Sequence, residues 1–386
     1  MKVKLSLLSL FALAAACGGS NGMSTPDFTA NAPTFDKVAI SQNDSQTVAP
    51  AMVQNPGSTQ ALTAATTDCH PHLFQRTDEI INNVNRHFFK LVGHVEDLIK
   101  DSPKLSSGQT KTWESIKNGI DRKLTISAVA NADGSVTYDF ELDIGLVPAT
   151  GTATLTKVMS GSLTHSGPQA SDLTDAGGST RVEDKGSVTF DYSALASVIT
   201  TEMSTGQITD AFDNVRDPAH GVKRSATMTL VNFHFDNDQH GPRNGSYTWL
   251  REPSVGGLFQ FSDSLVLLCP ANPSNAVADL TAVARWYKAA DGSVHGRGDA
   301  KATGGQIVSG DSWIGMTCAE GQTTAAPAEG EWMMKEENSS GASVSYQLVQ
   351  VGPTPCDPAF GALPDSNDKA NDYDFSQTPS FPGEWQ

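Results

Sequence analysis

The chain has 386 residues, of which 43 are Asp or Glu and 26 are Lys or Arg, so its formal net charge is -17 at neutral pH. A strongly acidic protein has no electrostatic attraction to nucleic acid or to anionic lipid headgroups, and nucleic acid is therefore excluded as a partner. Only 18% of the residues are charged, whereas glycine (34 residues) and proline (20 residues) are abundant. This composition is typical of an exported, turn-rich protein.

The first residues have the features of a signal peptide. Two lysines precede an apolar run that is too short to span a bilayer as a permanent helix and that ends in small residues. Residues 1–16 are therefore predicted to be a lipoprotein signal peptide, cleaved before Cys17. The rest of the sequence has no run that approaches the roughly 20 apolar residues of a spanning helix.

Cys17 is the predicted lipid attachment site. The preceding residues, ALAAA, are similar to a bacterial lipobox, although Leu13 lies one position earlier than the leucine of that motif. Gly18, which follows the cysteine, resembles the equivalent residue of lipoproteins sorted to the outer membrane. Lipidation of Cys17 leaves an even number of cysteines, which an exported protein can pair. The alternative is an ordinary secreted protein in which Cys17 has no such role.

A tether and a helix are predicted before the β-rich part of the chain. Residues 17–67 have few charges, no tryptophan and no sustained periodicity, which predicts a disordered tether. A flexible chain of that length spans on the order of 40 Å. A stripe of mostly apolar residues then recurs at three- and four-residue steps from Thr77 to Ile99. This stripe predicts one long amphipathic helix that ends before Pro103.

Alternation of apolar and polar residues replaces the helical period after a short segment that contains Trp113. Alternating segments flank Asp133 and Gly134, which predicts a β-hairpin. The pentapeptide ADGSV occurs there and again at 290–294, and two convergent turns explain it better than a duplicated domain. Further alternating segments are GTATLTKVMSGSLT, GSVTFDYS, VKRSATMTLVNFHF, GSYTWLRE, GLFQFSDSLVLL, DLTAVARWYKAADGSVHGRGDAKATG, GDSWIGMTC, GEWMMKEE and ASVSYQLVQV.

The predicted fold class is therefore mainly β. About 11 to 13 strands would form a large curled antiparallel sheet or open barrel in residues 68–355, with the long N-terminal helix packed against it. Only one further short helix is expected, near Tyr192. The acidic, proline-containing residues 356–386 are predicted to be disordered or to lie along the surface.

Four cysteines remain after lipidation and are the predicted disulfide residues: Cys69, Cys269, Cys318 and Cys356. They permit three pairings, of which Cys69 with Cys269 and Cys318 with Cys356 is preferred. A metal site beside Cys69 is disfavoured, because a second pair of ligands at a suitable spacing is absent.

Motifs for metal, cofactor or catalytic sites are weak. The sequence DNDQHG places Asp236 and Asp238 at alternate positions, as in a calcium loop, but the twelfth position is Tyr247 rather than glutamate. These residues are a weak calcium candidate, and no resident metal or cofactor is predicted. The serine of GDSW lacks a nucleophile elbow. The tripeptide Arg297-Gly298-Asp299 matches integrin-binding loops over three residues only, and we discount it.

The segment ARWYKAADGSVHGRGDAKATGGQIVSGDSWIGMTC resembles a family of uncharacterised Gram-negative lipoproteins, in which a lipobox and a low-complexity spacer precede a β-rich domain. These proteins have an Arg-Trp strand, a Gly-Arg-Gly/Ala-Asp turn, a Gly-Gly and a late cysteine. They more often have tryptophan where Ala319 follows Cys318. The resemblance covers about the last third of the chain and implies no activity.

The favoured function is a lipid-anchored outer-membrane protein, periplasmic or surface-facing, that acts in binding or envelope structure rather than as an enzyme. Its expected partners are the membrane, through the lipid anchor, and an envelope protein or hydrophobic ligand. An apolar cavity on the concave face would favour lipid carriage, whereas a face filled by side chains would favour a scaffold. The alternative is an exported hydrolase acting on an envelope or extracellular polymer. Its catalytic residues are unknown. It would need either a cleft that collects carboxylates or a histidine such as His165, His234 or His240 beside a serine and an acid.

Overall fold

The computed structural model describes the chain from residue 73 onward. The described residues are individual positions between 73 and 98, then 108–167, 181–234, 242–267 without 254, 277–304, 312–322, 328–337, 343–350, 356–360 and 373–385. The predicted signal peptide and tether lie outside them.

In the described part of the chain, fourteen strands form one antiparallel sheet in which every strand pairs with its neighbours in sequence. The strands are β1 (Thr110–Lys117), β2 (Ile120–Ala130), β3 (Val136–Leu146), β4 (Thr156–Ser166), β5 (Val182–Asp191), β6 (Thr205–Asp217), β7 (Gly221–His234), β8 (Arg243–Glu252), β9 (Gly256–Leu267), β10 (Val277–Lys288), β11 (Ser293–Thr303), β12 (Ser312–Gln322), β13 (Ala328–Glu337) and β14 (Ser343–Gln350). The pairing leaves β1 and β14 as the two edges, so the sheet is open. The prediction of a mainly β, antiparallel fold is confirmed, with more strands than expected.

Alternation within the strands gives the sheet an apolar inner face and a polar outer face. In β2, Leu124 and Ile126 are buried, whereas Thr125 between them is partly exposed. Successive side chains of a strand point to opposite faces, so this pattern places every second residue in the core. The inner face is the one that bears Leu124, and the outer face is the one that bears Thr125.

The inner face is filled by large side chains. One hydrophobic cluster extends across it from β2 to β11. Among the fully buried side chains are those of six aromatic residues: Tyr138, Phe190, Phe233, Tyr247, Phe259 and Phe261. The short helix α1 (Tyr192–Val198) packs against β3, β4 and β6, and the ring of its Tyr192 contacts Phe233 edge-on, with the ring centroids 5.3 Å apart. Asp191 caps α1, because its Oδ1 accepts a hydrogen bond of 2.8 Å from the N–H of Ala194.

Residues of the predicted N-terminal helix contribute to the same core. Every described residue between 73 and 98 has helical backbone, and the apolar ones from Ile81 to Leu98 belong to the cluster that covers the inner face. At one end, Leu73 and Phe74 lie against glycines of β11. At the other end, Nδ1 of His94 lies 3.4 Å from Nη1 of Arg122 in β2. Many of the intervening residues are outside the described set, so one continuous helix remains a prediction.

The described part of the C-terminal segment packs on the outer face. Phe360, in a 3-10 turn (Pro358–Phe360), and Phe381 are both buried. The N–H of Trp385 donates to Oε1 of Glu252 over 3.1 Å, and Nζ of Lys223 donates to the carbonyl oxygen of Trp385 over 2.8 Å. No helix in the described part of the chain has the length and apolar character that crossing a membrane requires.

Gly298→Ala should lower the free energy of unfolding by about 1–3 kcal/mol, because a Cβ at Gly298 would lie 2.8 Å from Cβ of Leu73. Gly93→Ala is the matched control. Gly93 has helical backbone, and an added Cβ would meet no atom within 4 Å. The same methyl group should there leave stability unchanged or raise it by up to about 1 kcal/mol. Urea unfolding measures both effects, and equal effects at the two glycines would contradict the packing of Leu73 on β11.

Candidate functional site

The predicted site residues have different fates in the structure. Cys318 of β12 and Cys356 form a disulfide with Cα atoms 5.1 Å apart, which is one of the predicted bridges. Within the described segments, no cluster of three or more His, Cys, Asp or Glu side chains could hold a metal ion. Several predicted residues lie outside the described set: Cys17, Cys69, Asp236, Asp238, His240 and Cys269.

Two of the histidines considered from the sequence are described. His165 lies on the inner face, where its Nδ1 is 2.6 Å from Oδ1 of Asp184, and both side chains are buried. His234 ends β7 and is partly exposed. A different histidine, His295 of β11, lies between a serine and an acid. No sequence motif pointed to it.

The arrangement around His295 depends on the turn between β10 and β11. The N–H of Ala289 donates to the carbonyl of Ser293 over 2.8 Å, which closes the hairpin. Gly292 has φ of +88°, a conformation that glycine adopts without steric cost. Oδ1 of Asp291 accepts hydrogen bonds from the N–H of Ser293 at 2.9 Å and from its hydroxyl at 2.6 Å. These two bonds lower the pKa of Asp291, so its carboxylate is ionised at neutral pH.

His295 lies next to Ser293 on the outer face, because residues two apart in a strand share a face. Nε2 of His295 is 2.7 Å from Oγ of Ser293, and its Nδ1 is 3.5 Å from Oδ2 of Asp357. The ring of Tyr287, directly opposite in β10, stacks on the imidazole with ring centroids 5.6 Å apart. Burial raises the pKa of Tyr287, and its hydrogen bond to Asp357 raises it further. We call Tyr287, Asp291, Ser293, His295 and Asp357 the hairpin site.

Asp357 reaches the hairpin site because the C-terminal segment is fastened to β11 and β12. It directly follows Cys356, whose disulfide partner lies in β12. Its Oδ1 accepts a hydrogen bond of 2.8 Å from the N–H of Ala359, which leaves Oδ2 facing the imidazole. The side chains of His295 and Asp357 are 19% and 18% exposed, so small molecules can reach both.

Beside the hairpin site lies a buried ion cluster that contains the Arg-Gly-Asp tripeptide. Nε and Nη2 of Arg297 donate to Oδ1 of Asp299 at 3.0 and 2.8 Å, and Nη2 of Arg285 donates to Oδ2 at 2.9 Å. Nη1 of Arg297 donates to the carbonyl of Phe360 at 2.9 Å. The guanidinium of Arg285 also lies over the ring of Tyr373, 4.7 Å from its centroid. These contacts hold the C-terminal segment on the sheet.

The middle of the outer face is a surface of small hydroxyl side chains, which we call the hydroxyl field. It consists of two adjacent rows of outward-facing residues that cross β4 to β9 in register. One row is Ser160, Thr189, Thr209, Thr229, Ser246 and Ser262, and the other is Ser162, Ser187, Ala211, Thr227, Thr248 and Gln260. All of these residues are exposed or partly exposed, and none is charged. Part of the second row lines an open depression of about 590 Å³.

Asp210 lies in the centre of the inner face, opposite Val188 on one side and Met228 on the other. It is fully buried, and neither carboxylate oxygen has a hydrogen-bond partner among the described residues. Burial raises its pKa to about 8, so the folded protein holds this group mostly protonated at neutral pH. The alternation Ile208, Asp210, Phe212 was the sequence signal that could have placed an acid in the core.

Asp210 should make the folded protein less stable as the pH rises. Its pKa is about 8 in the folded state and near its ordinary 3.8 in the unfolded chain, so the folded state binds more protons between these values. The free energy of unfolding should therefore fall by about 2 to 3 kcal/mol between pH 5 and pH 7 relative to the Asp210→Asn variant. Chemical denaturation at the two pH values measures this difference.

Asp139→Asn, on the exposed outer face of β3, is the control and should keep the pH dependence of the wild type. A pH dependence that survives in Asp210→Asn would show that another group causes it.

No protein-family model, no curated protein and no solved structure matches this chain. Function must therefore be inferred from the chain's own residues. Three features carry chemical information in the described part: the filled inner face, the hydroxyl field and the hairpin site.

Proposed function

We propose that this chain is a lipid-anchored envelope protein that binds an uncharged, hydroxyl-rich polymer, a neutral polysaccharide, on the outer face of its sheet. The observation that carries this proposal is the hydroxyl field. The chain has a net charge of -17, yet two full rows of residues across β4 to β9 contain no charged side chain.

The chemistry of the hydroxyl field matches that of a neutral glycan. A hydroxyl group is both a donor and an acceptor, so serine and threonine can pair with sugar hydroxyls of either orientation. Neighbouring strands repeat at about 4.8 Å, which gives a regular array of such groups for a repeating polymer. Some of these hydroxyls already pair across strands, as between Thr189 and Thr209, whose Oγ1 atoms are 3.1 Å apart. Lys185 and Asp213 line the depression beside the second row, but within the two rows a strongly cationic or anionic partner would find no complementary charge.

The filled inner face supports a binding or structural role over lipid carriage. Where an acyl chain would have to lie, the described residues place Tyr138, Phe190 and Tyr247 with no more than 1% of their surface exposed. Helical residues such as Leu91 and Val95 occupy the same cluster. The interior is therefore used for the protein's own core.

A continuous N-terminal helix would complete this core. From Phe74, beside β11, to His94, beside β2, a helix would be about 30 Å long. In a flat sheet, β2 and β11 would be about 43 Å apart, since nine strand spacings separate them. We therefore infer that the sheet curls around this helix, with the hydroxyl field on the convex side.

Binding should be measured by co-sedimentation of the full-length protein with insoluble neutral glucans, with an anionic pectin for comparison. The wild type should bind the neutral polymer better. Thr227→Glu with Thr229→Glu, on β7, should weaken binding by at least about tenfold, because charges there must be desolvated against a neutral partner. Thr110→Glu with Thr112→Glu adds the same two charges to the outer face of β1, outside the field, and should bind like the wild type. Failure of the wild type to bind any neutral polysaccharide, or equal losses in both variants, would refute the proposal.

The lipid anchor is tested separately. In the producing bacterium, the wild type should fractionate with membranes, and its mature N-terminal peptide should carry acyl mass on Cys17, since diacylated cysteine buries several alkyl chains at about 0.8 kcal/mol per methylene. Cys17→Ser should move to the soluble fraction. Membrane fractionation that persists in Cys17→Ser, with no acyl mass on the wild type, would contradict the anchor.

A further inference from the structure

The pentapeptide ADGSV forms two hairpin turns with the same local hydrogen bonds. In the first turn, the N–H and hydroxyl of Ser135 donate to Oδ1 of Asp133 at 3.0 and 2.7 Å. In the second, the N–H and hydroxyl of Ser293 donate to Oδ1 of Asp291 at 2.9 and 2.6 Å. The turn itself therefore needs only the residues that the two copies share.

The surroundings of the two serines differ. Ser135 is buried, and its hydroxyl accepts a hydrogen bond of 2.9 Å from Nδ2 of Asn131. Ser293 is partly exposed, and its hydroxyl lies 2.7 Å from Nε2 of His295, whose Nδ1 faces Asp357. Among the described residues, only the second serine contacts an imidazole whose other ring nitrogen faces a carboxylate. The first turn is thus an internal reference for what the motif does without them.

We propose that Ser293 is a nucleophile that cleaves esters, with His295 as its general base and Asp357 as the residue that positions the imidazole. A serine becomes nucleophilic when an adjacent base takes its proton and a third group orients that base. The two contacts of His295, on its opposite ring nitrogens, are this arrangement. The activity is independent of the hydroxyl field, which lies on other strands.

The reaction proceeds in two balanced steps. Oγ of Ser293 bonds to the carbonyl carbon of the ester while its proton moves to Nε2 of His295. The bond between that carbon and the alkoxy oxygen then breaks, and the alcohol leaves with the proton from His295. Water attacks the acyl-serine in the same way, gives one proton to His295 and releases the carboxylic acid, and Ser293 recovers its proton. The carboxylate of Asp357 stabilises the imidazolium that forms in each step.

Asp291 restrains this chemistry. The Ser293 hydroxyl has one proton, for which Oδ1 of Asp291 at 2.6 Å competes with Nε2 of His295 at 2.7 Å. Asp291→Asn keeps an oxygen that accepts the N–H of Ser293, but a neutral amide attracts the hydroxyl proton less than a carboxylate does. The variant should therefore be more reactive than the wild type.

The charges at the hairpin site select the ester. Asp291 and Asp357 place two carboxylates near Ser293, in a chain that is itself acidic, so anionic esters are repelled. The partial exposure of His295 and Asp357 places the reaction at the surface of the hairpin. The substrate class is therefore an ester without a negative charge.

The first experiment treats the folded full-length protein with a fluorophosphonate probe and maps the labelled peptide by mass spectrometry. Ser293 should be labelled and Ser135 should not. Ser293→Ala should abolish the label, and Ser135→Ala, the same change in the twin turn, should keep the wild-type rate. His295→Ala should lower the rate of labelling about 100-fold, and Asp291→Asn should raise it. Hydrolysis of p-nitrophenyl acetate should follow the same order.

The proposal that Asp357 positions the imidazole must be distinguished from a role of Asp357 in stability alone. Asp357→Asn keeps the oxygen that accepts the Ala359 N–H, so its thermal midpoint should match the wild type while labelling slows by at least about tenfold. Asp357→Glu restores the negative charge and should recover part of the rate. A slower rate that Glu does not rescue, or that follows a loss of thermal stability, would reject the positioning role.

Two results with the probe would overturn the proposal, one of them on the wild type alone. Absence of label on Ser293 in the folded wild-type protein would refute it, as would an unchanged labelling rate in His295→Ala. Hydrolysis of p-nitrophenyl acetate that persists in Ser293→Ala would show that the esterase activity belongs to another group.

Discussion

Burial of the inner face is the constraint on which the rest of this structure depends. Fourteen strands in simple sequence order make a wide open sheet, and such a sheet is stable only if one face is covered. The helical residues between 73 and 98 and the short helix α1 supply that cover. Leu73 and Phe74 fit because β11 has glycines at the points of contact, so its backbone and the helical residues can approach closely.

Because the inner face forms the core, the outer face is available for other contacts. On β4 to β9 the hydroxyl field makes hydroxyl pairs across strands, as between Thr189 and Thr209, and its residues are exposed or partly exposed. Further along the sheet, the C-terminal segment covers the outer face through a few strong polar contacts. Arg297 binds the carbonyl of Phe360, and Lys223 and Glu252 bind the last residues. Burial raises the pKa of Glu252, while the Trp385 N–H and Lys223 oppose this rise. These hydrogen bonds between charged side chains and backbone groups fix the position of the segment on the sheet.

Alternation made most of the strands predictable from the sequence, and its failures have physical causes. β6 was missed because its inward positions carry Asp210, Asn214 and Arg216 among apolar residues, which breaks the alternation. β1 was noted only for Trp113, since it is an edge strand with no buried residue to mark a pattern. The helical residues between 73 and 98 follow the predicted apolar stripe, because both periods follow from the geometry of the backbone.

The hairpin site could not be predicted in the same way. The sequence marks the Asp-Gly turn but gives no sign that Asp357, from a segment expected to be disordered or surface-bound, faces His295. That contact depends on tertiary structure: the disulfide of Cys356 and the ion cluster around Arg297. The hydrogen bonds between Asp291 and Ser293 already explain why these residues occur in the turn, so the sequence gives no reason to expect a second role. The turn at Ser135 has the same local hydrogen bond without the histidine, so it separates the role in the turn from the role beside His295.

The strictly sequential order of the strands has a consequence for biogenesis. Each strand pairs with the one that precedes it in the chain, so the sheet can grow by one hairpin at a time in the order in which the residues are synthesised. The helical residues that line the core would emerge before any strand and could serve as its template. The growing sheet would then expose only one new edge at each stage, which limits the surface available for wrong pairing with other chains. The C-terminal segment follows the strands in the chain. It can pack on its part of the outer face only after β10 to β12 have formed.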